Sequence, residues 1–374
     1  MVYGKKRKKQ IFLDRFRFFL YEVALGFILI FLLLLIPVFL IIPLIVGTES
    51  ELYGILIYSS RAIMVFIGVP LILHFSNLLF QDKKKNVIGE EDISPAMGHL
   101  RLFKVTKKNY QYQILYGLLI FFLVFLPLDF FTYLLVPKML EYQSITLASR
   151  PTDIYLGGSY VIFLISVIVI QLSVGITEET ISRGLLTKRG SEHYFRMSAV
   201  LISAIYFGLG HFAYFLDPIS RFYPIWYPFI WFLQAFFIGI ILSLLVLRRK
   251  WLIPAIIAHT LNNIISAHAV WNFLIPLQSY VGDPVNLIIH SSEGNSFSGI
   301  IFYLYTPLLI IGVILLIWQF PRIKGGLSIG IKMFREYFKF DVRGEKTIGD
   351  RIFRVFIDIV VAMLIFLMGI MITI

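Results

Sequence analysis

Long runs of apolar residues, separated by short polar segments, dominate the chain. The first run, 23–46, contains no charged residue. A helix needs about 20 apolar residues to cross the hydrocarbon core of a bilayer. We therefore predict nine spanning helices, at 21–46, 62–80, 114–136, 156–178, 199–216, 225–247, 251–273, 299–320 and 355–374.

The composition supports this pattern. The chain has 374 residues, of which 58% are hydrophobic and 15% charged, whereas soluble domains have about 45–50% apolar and about 25% charged residues. Soluble enzymes, coiled coils and disordered chains are excluded. We predict an all-α, polytopic membrane protein with about eight or nine transmembrane helices, in which residues 1–374 form a single membrane domain. The absence of cysteine excludes a thiol nucleophile and cysteine-based metal sites.

The net charge of +12 predicts an orientation. Membrane proteins concentrate Lys and Arg in their cytoplasmic loops. With the N-terminus inside, 30 of the 34 basic residues fall in cytoplasmic segments, and only Arg61, Lys138, Arg150 and Arg221 fall outside. We predict an integral membrane protein with a cytoplasmic N-terminus, in the plasma membrane if the source is a prokaryote. The basic excess therefore does not indicate a nucleic-acid partner.

Several polar residues lie in or near the middle spans, where a charge costs about 2.5–3.5 kcal/mol and is a functional candidate. Glu178, Glu179 and Arg183 lie at the end of the fourth predicted span, and His211 lies in the fifth. The seventh contains His259, with Asn263 four residues later. Three helices can thus bring a carboxylate, two imidazoles and an amide to one cavity.

Spacing separates the roles of these residues. Positions four apart share a helix face, so Glu179 can pair with Arg183. Glu178 then faces about 100° away around the helix. A carboxylate and an imidazole can remove a proton from water, and an imidazole and an amide can donate to an oxyanion. We assign Glu178 as general base, His211 as the residue that positions the water, and His259 with Asn263 as the oxyanion site, while Glu179 and Arg183 support it as a pair.

Each of these residues also has a purely structural interpretation, such as a solvated helix end or a hydrogen bond between helices. The hypothesis depends on their occurrence together. Other polar residues of the spans are interpreted as packing, cavity-lining or interface residues: His74, Asp129, Gln171, Gln234, His268 and Asp358.

One prediction concerns depth. His259 is about 12 Å from the cytoplasmic end of its span, whereas His211 is about 22 Å from Arg196, at 1.5 Å per residue. A shared cavity requires these depths to match. We therefore expect a cytoplasmic helix within 184–202, before the fifth span enters the membrane.

Three motifs in this order resemble the CAAX protease and bacteriocin-processing family of intramembrane endopeptidases, also called Abi, which includes the Rce1-type prenyl-protein proteases. They are Glu178-Glu179-x-x-x-Arg183, Phe207-x-x-x-His211 and His259-x-x-x-Asn263, and the stretch 236–240 with Gly239 is compatible with a further, less defined element. The resemblance covers about 155–270, which we interpret as the catalytic core.

The resemblance implies a conical intramembrane cavity open to the cytoplasmic side and the lipid. It implies that Glu178 and His211 activate water and that His259 and Asn263 stabilise the oxyanion. The family has been described both as metalloproteases and as glutamate-type proteases, and the sequence leaves both open. No cofactor is certain; zinc is the alternative, with Glu178, His211 and His259 as its ligands, since two histidines and a glutamate form a known catalytic zinc set.

Three functions are compatible with the sequence. The first is an intramembrane endopeptidase whose substrate is a membrane-embedded or lipid-anchored peptide or protein, with membrane lipid as its surroundings; prenylated and leader-type peptides are both compatible. The second is a proton-coupled transporter with a relay through the same residues, although no internal repeat is present. The third is a catalytically silent membrane scaffold.

Overall fold

A computed structural model describes residue 13 and residues 15–80, 102–337 and 347–373. Within these ranges every regular element is a helix. The basic cluster at the N-terminus and the segment 81–101, which belong to the predicted cytoplasmic regions, lie outside the described residues.

Ten principal helices follow the chain. The first three are α1 (Arg15–Val46), α2 (Glu51–Ser76) and α3 (Tyr110–Leu135), and α4 (Lys138–Ala148) is shorter. The central four are α5 (Tyr160–His193), α6 (Arg196–Leu216), α7 (Trp226–Arg249) and α8 (Ile253–Leu274). The last two are α9 (Phe297–Arg335) and α10 (Ile348–Ile370).

Eight of these helices, within the described part of the chain, are long and apolar enough to cross a membrane. The prediction of an all-α polytopic membrane protein with eight or nine spans is therefore confirmed. The predicted seventh span forms α8, a helix of 22 residues. It is not among the eight because His259, Asn262, Asn263 and His268 lower its hydropathy.

The second span begins earlier than predicted. The helix starts at Glu51 rather than at residue 62, because apolar residues continue through Tyr53–Tyr58. Arg61 therefore lies inside α2 and not in an outer loop. It is half-buried, close to Arg150 and Tyr58.

Helices α5 and α6 form a long hairpin that resolves the difference in depth. The predicted cytoplasmic helix within 184–202 is not a separate element, because α5 continues to His193 and α6 begins three residues later, at Arg196. The continuation Thr180–Arg189 has π-helical turns. Lys188, in this continuation, donates to the carbonyl of Lys250 at the end of α7. The hairpin thus extends past the start of α8, which brings His211 and His259 towards each other.

Two apolar clusters fill the bundle. One joins α3 to α9 around Phe125, Phe163 and Leu242. The other joins α1, α2, α5, α6 and α10 around Phe27, Ile30 and Ile365. The helices α5 and α6 contribute to both clusters, so the hairpin lies at the centre of the molecule.

Small residues allow the central helices to approach closely. A Cβ on Gly175 of α5 would lie 2.4 Å from Thr260 Oγ1 of α8. A Cβ on Gly239 of α7 would lie 2.9 Å from the Cα of Ala204 in α6. Because real Cβ atoms do not come this close, glycine at these two positions sets the distances between the helices that carry the predicted site.

Candidate active site

Glu179 and Arg183 form a buried ion pair on one face of α5. Arg183 Nη1 lies 3.2 Å from Glu179 Oε1, and both side chains are inaccessible to solvent. The guanidinium carbon of Arg183 lies 4.2 Å from the centre of the Phe207 ring on α6. A cation above an aromatic face is attracted to the ring. The ion pair and its contact with Phe207 therefore hold α5 against α6 next to the predicted site.

Glu179 also contacts the histidine of α8. His259 Nδ1 lies 2.9 Å from Glu179 Oε1, and the His259 ring stacks on Phe125 at 5.8 Å. Glu179 Oε1 also faces Arg183 Nη1 and acts there as an acceptor, so the proton of this hydrogen bond belongs on His259 Nδ1. Glu179 thus orients the imidazole and leaves His259 Nε2 as its free nitrogen. From the sequence we paired Glu179 only with Arg183, because helix spacing does not predict contacts between helices.

Glu178 points in a different direction, as its position one residue earlier predicts. Its side chain is 28% exposed, and its Oε2 lies 3.8 Å from His259 Nε2. This oxygen has no hydrogen-bond partner among the described residues. Glu179 Oε2 likewise has no hydrogen-bond partner among the described residues, but the Glu179 side chain is inaccessible to solvent and is ion-paired. Glu178 instead lines both cavities, so its oxygen is available to a ligand.

His211 lies near the end of α6 and is oriented by its own helix. Its Nδ1 lies 3.0 Å from the carbonyl oxygen of Phe207. A carbonyl only accepts, so Nδ1 carries the proton and Nε2 of the neutral ring is an acceptor. Phe207 and Trp231 pack against the ring, at 4.9 and 5.8 Å between centroids. His211 Nε2 is therefore placed to accept a hydrogen bond from a bound water.

All four predicted catalytic residues line one central cavity of about 180 Å³. Glu178 and His211 also line a second, adjoining cavity of about 290 Å³, called here the side cavity. Asn263 lies one turn after His259 on α8 and is half-buried. The three motifs of the sequence thus meet at one cavity, with Glu178 and His211 at its junction with the side cavity.

Further polar side chains line the central cavity, and Asp129 of α3 connects them. Its Oδ2 accepts a hydrogen bond of 2.7 Å from Ser266 Oγ, and its Oδ1 accepts from Gln234 Nε2 of α7. Asp129 is 4% exposed. In the sequence Asp129 is an acid within an apolar span, which predicts packing or cavity lining. In the structure Asp129 lines the central cavity, and its hydrogen bonds join α3, α7 and α8.

The other polar residues of the spans separate into two groups. Gln171, like Gln234, lines the central cavity. His268 instead bonds through Nδ1 to the carbonyl oxygen of Ile264 at 2.9 Å and packs on Phe163. His74 packs on its neighbour Phe75. Neither His268, His74 nor Asp358 lines the central or the side cavity.

The alternative zinc ligands do not form a metal site. No group of three or more His, Asp or Glu side chains in the described residues is arranged to hold a metal ion. Glu179 engages His259 at Nδ1, a contact that metal-bound histidines also make, so only the arrangement of the three side chains disfavours a metal site. The mechanism proposed below therefore uses no metal.

Comparison with known families supports the resemblance. Residues 160–265 match the Rce1-like family, described as type II CAAX prenyl endopeptidase. The match covers α5–α7 and the first half of α8, including all three motifs. At the level of the family it supports a peptide hydrolase of the CAAX type that acts on membrane-associated substrates. Curated proteins and solved structures gave no match.

Proposed function

We propose that the chain is an intramembrane endopeptidase that hydrolyses a peptide bond of a membrane-embedded or lipid-anchored substrate. The observation that carries the proposal is the junction of the cavities. There Glu178 has an oxygen to which no described residue donates a hydrogen bond, and His211 has Nε2 as an acceptor. Both line the same space as His259 and Asn263.

In the proposed reaction a bound water molecule donates one hydrogen bond to Glu178 and one to His211 Nε2, and the proton facing His211 stays on the water oxygen throughout. Glu178 takes one proton as the water oxygen bonds to the carbonyl carbon of the scissile peptide. The tetrahedral intermediate then collapses, the carbon–nitrogen bond breaks, and the proton on Glu178 passes to the leaving amine. The products are a carboxyl group and an amine, and Glu178 returns to its initial state.

The oxyanion of the intermediate is assigned to His259 and Asn263. Since Glu179 holds the proton on His259 Nδ1, donation to an oxyanion requires a second proton, on Nε2. The carboxylate oxygens of Glu178 and Glu179 lie 3.8 Å from Nε2 and 2.9 Å from Nδ1 of this ring. Asn263 is one turn away on the same face and supplies an amide donor.

The test is cleavage by the purified protein reconstituted in lipid vesicles. A library of membrane-anchored peptides, including prenylated and leader-type peptides, is incubated with the wild type and with Glu178→Ala and His211→Ala. We expect cleavage by the wild type and loss of cleavage in both variants, with unchanged folding. Glu293→Ala is the control, because Glu293 lies at an exposed turn and pairs with His290.

The same vesicles distinguish the other two functions. A proton-coupled transporter would cleave nothing, and its proton flux would stop in Glu178→Ala. A silent scaffold would cleave nothing and still bind peptides after loss of Glu178. Either result contradicts the proposal.

A further inference from the structure

Three acidic side chains of the described residues line the central cavity, and they differ in whether a basic group balances their charge. Glu178 Oε2 lies 3.8 Å from His259 Nε2, and Asp153 Oδ2 lies 4.0 Å from Arg150 Nε. Asp129 forms an ion pair with none of the described Lys, Arg or His side chains. A buried carboxylate without a cation is costly, and within a membrane protein it is a candidate functional group.

The hydrogen bonds of Asp129 leave room for a ligand. Its Oδ2 accepts from Ser266 Oγ at 2.7 Å, and its Oδ1 accepts from Gln234 Nε2, as the oxygens of an ionised carboxylate do. Such a group has about four acceptor positions, so two are unfilled. The buried Oε1 of Gln234 also accepts from no described residue. Asp129 and Gln234 therefore combine a negative charge with acceptors that lack a donor.

Aromatic residues flank the Asp129 carboxylate along α3. Phe125 and Tyr133 lie one turn before it and one turn after it, on the same helix face, and both line the central cavity. Aromatic rings attract cations, and the aliphatic stem of a Lys or Arg side chain packs against apolar surface. This group of side chains, called here the acidic pocket, therefore suits a basic side chain, which supplies the missing donors.

The acidic pocket lies beside the proposed oxyanion site. The His259 ring stacks on Phe125 at 5.8 Å, and Asp129 is one turn, about 6 Å, further along α3. Ser266 lies about 10 Å from His259 along α8. Because residues of an extended peptide are about 3.3–3.6 Å apart, a side chain bound at Asp129 belongs to a residue within about three positions of the scissile bond.

Most of the acidic pocket lies outside the part of the chain that matches the family. The acid and its two aromatic neighbours come from α3, before the matched residues 160–265, and Ser266 comes after them. Of the residues named above for the pocket, only Gln234 lies within the match. The family resemblance therefore does not imply the chemistry of this pocket.

We propose that Asp129 determines specificity by binding a Lys or Arg side chain of the substrate close to the scissile bond. This rests on the proposed function and narrows its substrate class to membrane-anchored peptides with a basic residue within about three positions of the cleaved bond. The bound cation balances the charge of Asp129 and donates to the unfilled acceptors of Asp129 and Gln234. Proton transfer remains with Glu178.

Matched peptides test this preference in the vesicle assay. A peptide that the wild type cleaves is synthesised with Lys, norleucine or Glu at each of the three positions on either side of the cleaved bond. Norleucine keeps the aliphatic stem of lysine without its charge. At one of these positions we expect kcat/KM to be about 10–100-fold higher with Lys than with norleucine, and lowest with Glu. Equal cleavage of the Lys and norleucine peptides at every position would overturn the proposal.

Asp129→Asn connects the preference to the acidic pocket. The amide can accept from Gln234 and donate to Ser266, so this variant removes the charge while the contacts between the helices persist. The preference for Lys should be lost, whereas Asp129→Glu should keep it. Asp153→Asn is the matched control, because Asp153 lines the same cavity with Arg150 already beside it; this variant should keep most of the preference.

Two results with these variants contradict the proposal. If Asp129 only held the helices together, Asp129→Asn would slow cleavage of the Lys and norleucine peptides by the same factor and leave their ratio unchanged. An equal loss of preference in Asp129→Asn and Asp153→Asn would assign it to the general charge of the cavity. If Asp129→Asn does not fold, the comparison of peptides on the wild type decides alone.

Peptide binding separates this proposal from the proposed function. In Glu178→Gln, which keeps the cavity without the general base, fluorescent Lys and norleucine forms of the library peptides are compared for affinity, with and without Asp129→Asn. We expect tighter binding of the Lys forms, and loss of this difference in the double variant. If the wild type cleaves no peptide, the proposed function fails, while the binding difference still supports the acidic pocket. Equal affinity for the Lys and norleucine forms in Glu178→Gln would overturn the acidic pocket.

Discussion

Buried charged side chains are paired differently at the two ends of the α5–α6 hairpin. Where the two helices connect, called here the basic end, Arg189 pairs with Glu22 at 2.6 Å and Glu192 at 2.7 Å. At the cavity one oxygen of Glu178 has no hydrogen-bond partner among the described residues and lies only 3.8 Å from an imidazole nitrogen. Buried ions that are fully paired hold helices together, whereas an incompletely satisfied polar group costs stability and remains available for chemistry. Glu179 and Arg183 lie between these two situations.

The largest expected effect is on catalysis, from Glu178→Gln. The amide keeps the size of the side chain but cannot accept the proton of water, so kcat for peptide cleavage should fall by about 10²–10⁴-fold. The free energy of unfolding should change by less than about 0.5 kcal/mol, because no buried ion pair is broken. Activity and denaturant unfolding in detergent are compared with Glu293→Gln. Full activity of Glu178→Gln would remove the general-base assignment.

Arg183→Met should have the largest effect on stability. It leaves Glu179 buried without its cation, and breaking a buried pair costs about 3–5 kcal/mol. The double variant with Glu179→Gln removes both charges and should recover part of this loss. Denaturant unfolding of both variants measures the difference. A double variant no more stable than Arg183→Met would contradict the assignment of the loss to an uncompensated charge.

A smaller loss of stability is expected at the basic end from Glu22→Gln. Glu22 accepts from Arg189 and from Ser76 Oγ, at 2.6 and 3.0 Å. Arg189 keeps Glu192 as a partner, so the loss should be about 1.5–3 kcal/mol, as for hydrogen bonds to charged groups. The kcat should be unchanged because this pair lies away from the cavity. A fall in kcat at full folding would show that the basic end also controls the site.

The smallest effect concerns Asp153, in the connection between α4 and α5. Burial raises the pKa of Asp153 above its usual value of 3.8, and Arg150 offsets only part of this rise. The folded state therefore binds this proton more tightly than the unfolded state. The stability contributed by the protonated Asp153 carboxyl is present at low pH and is lost as pH rises through the folded-state pKa.

Asp153→Asn isolates this contribution. As pH rises above 3.8, the unfolding free energy of the wild type should fall relative to that of Asp153→Asn. Unfolding in detergent across acidic and neutral pH measures it. A difference that does not change with pH would mean that Asp153 titrates alike in both states.

The sequence predicts the helices well, and it selects residues that the structure brings to one cavity, because both follow from rules within one helix. Apolar runs predict spans, and spacings of four predict the facing pairs Glu179 with Arg183 and His259 with Asn263. The contact of Glu179 with His259, the hydrogen bonds of Asp129 and the ion pair of Arg189 with Glu22 are contacts between helices. They depend on the rotation and depth of each helix, which hydropathy does not determine.

The same limit explains why the fourth predicted span ends earlier than the helix does in the structure. Hydropathy ended the fourth span at residue 178, because the residues that follow it are polar. In the structure those residues remain helical to His193, since neighbouring helices bury them and satisfy Lys188 and Arg189. Burial by protein, rather than by lipid, therefore decides where this helix ends.

Phe207 links the three motifs more closely than their spacing suggests. Its ring contacts Arg183 at 4.2 Å, His211 at 4.9 Å and His259 at 5.6 Å, and its carbonyl oxygen lies 3.0 Å from His211 Nδ1. One apolar side chain thus contacts a residue from each motif. A fluorinated phenylalanine at this position would give a single spectroscopic signal that responds to changes at the water-activating side and the oxyanion side together, in a membrane protein otherwise crowded with aromatic residues.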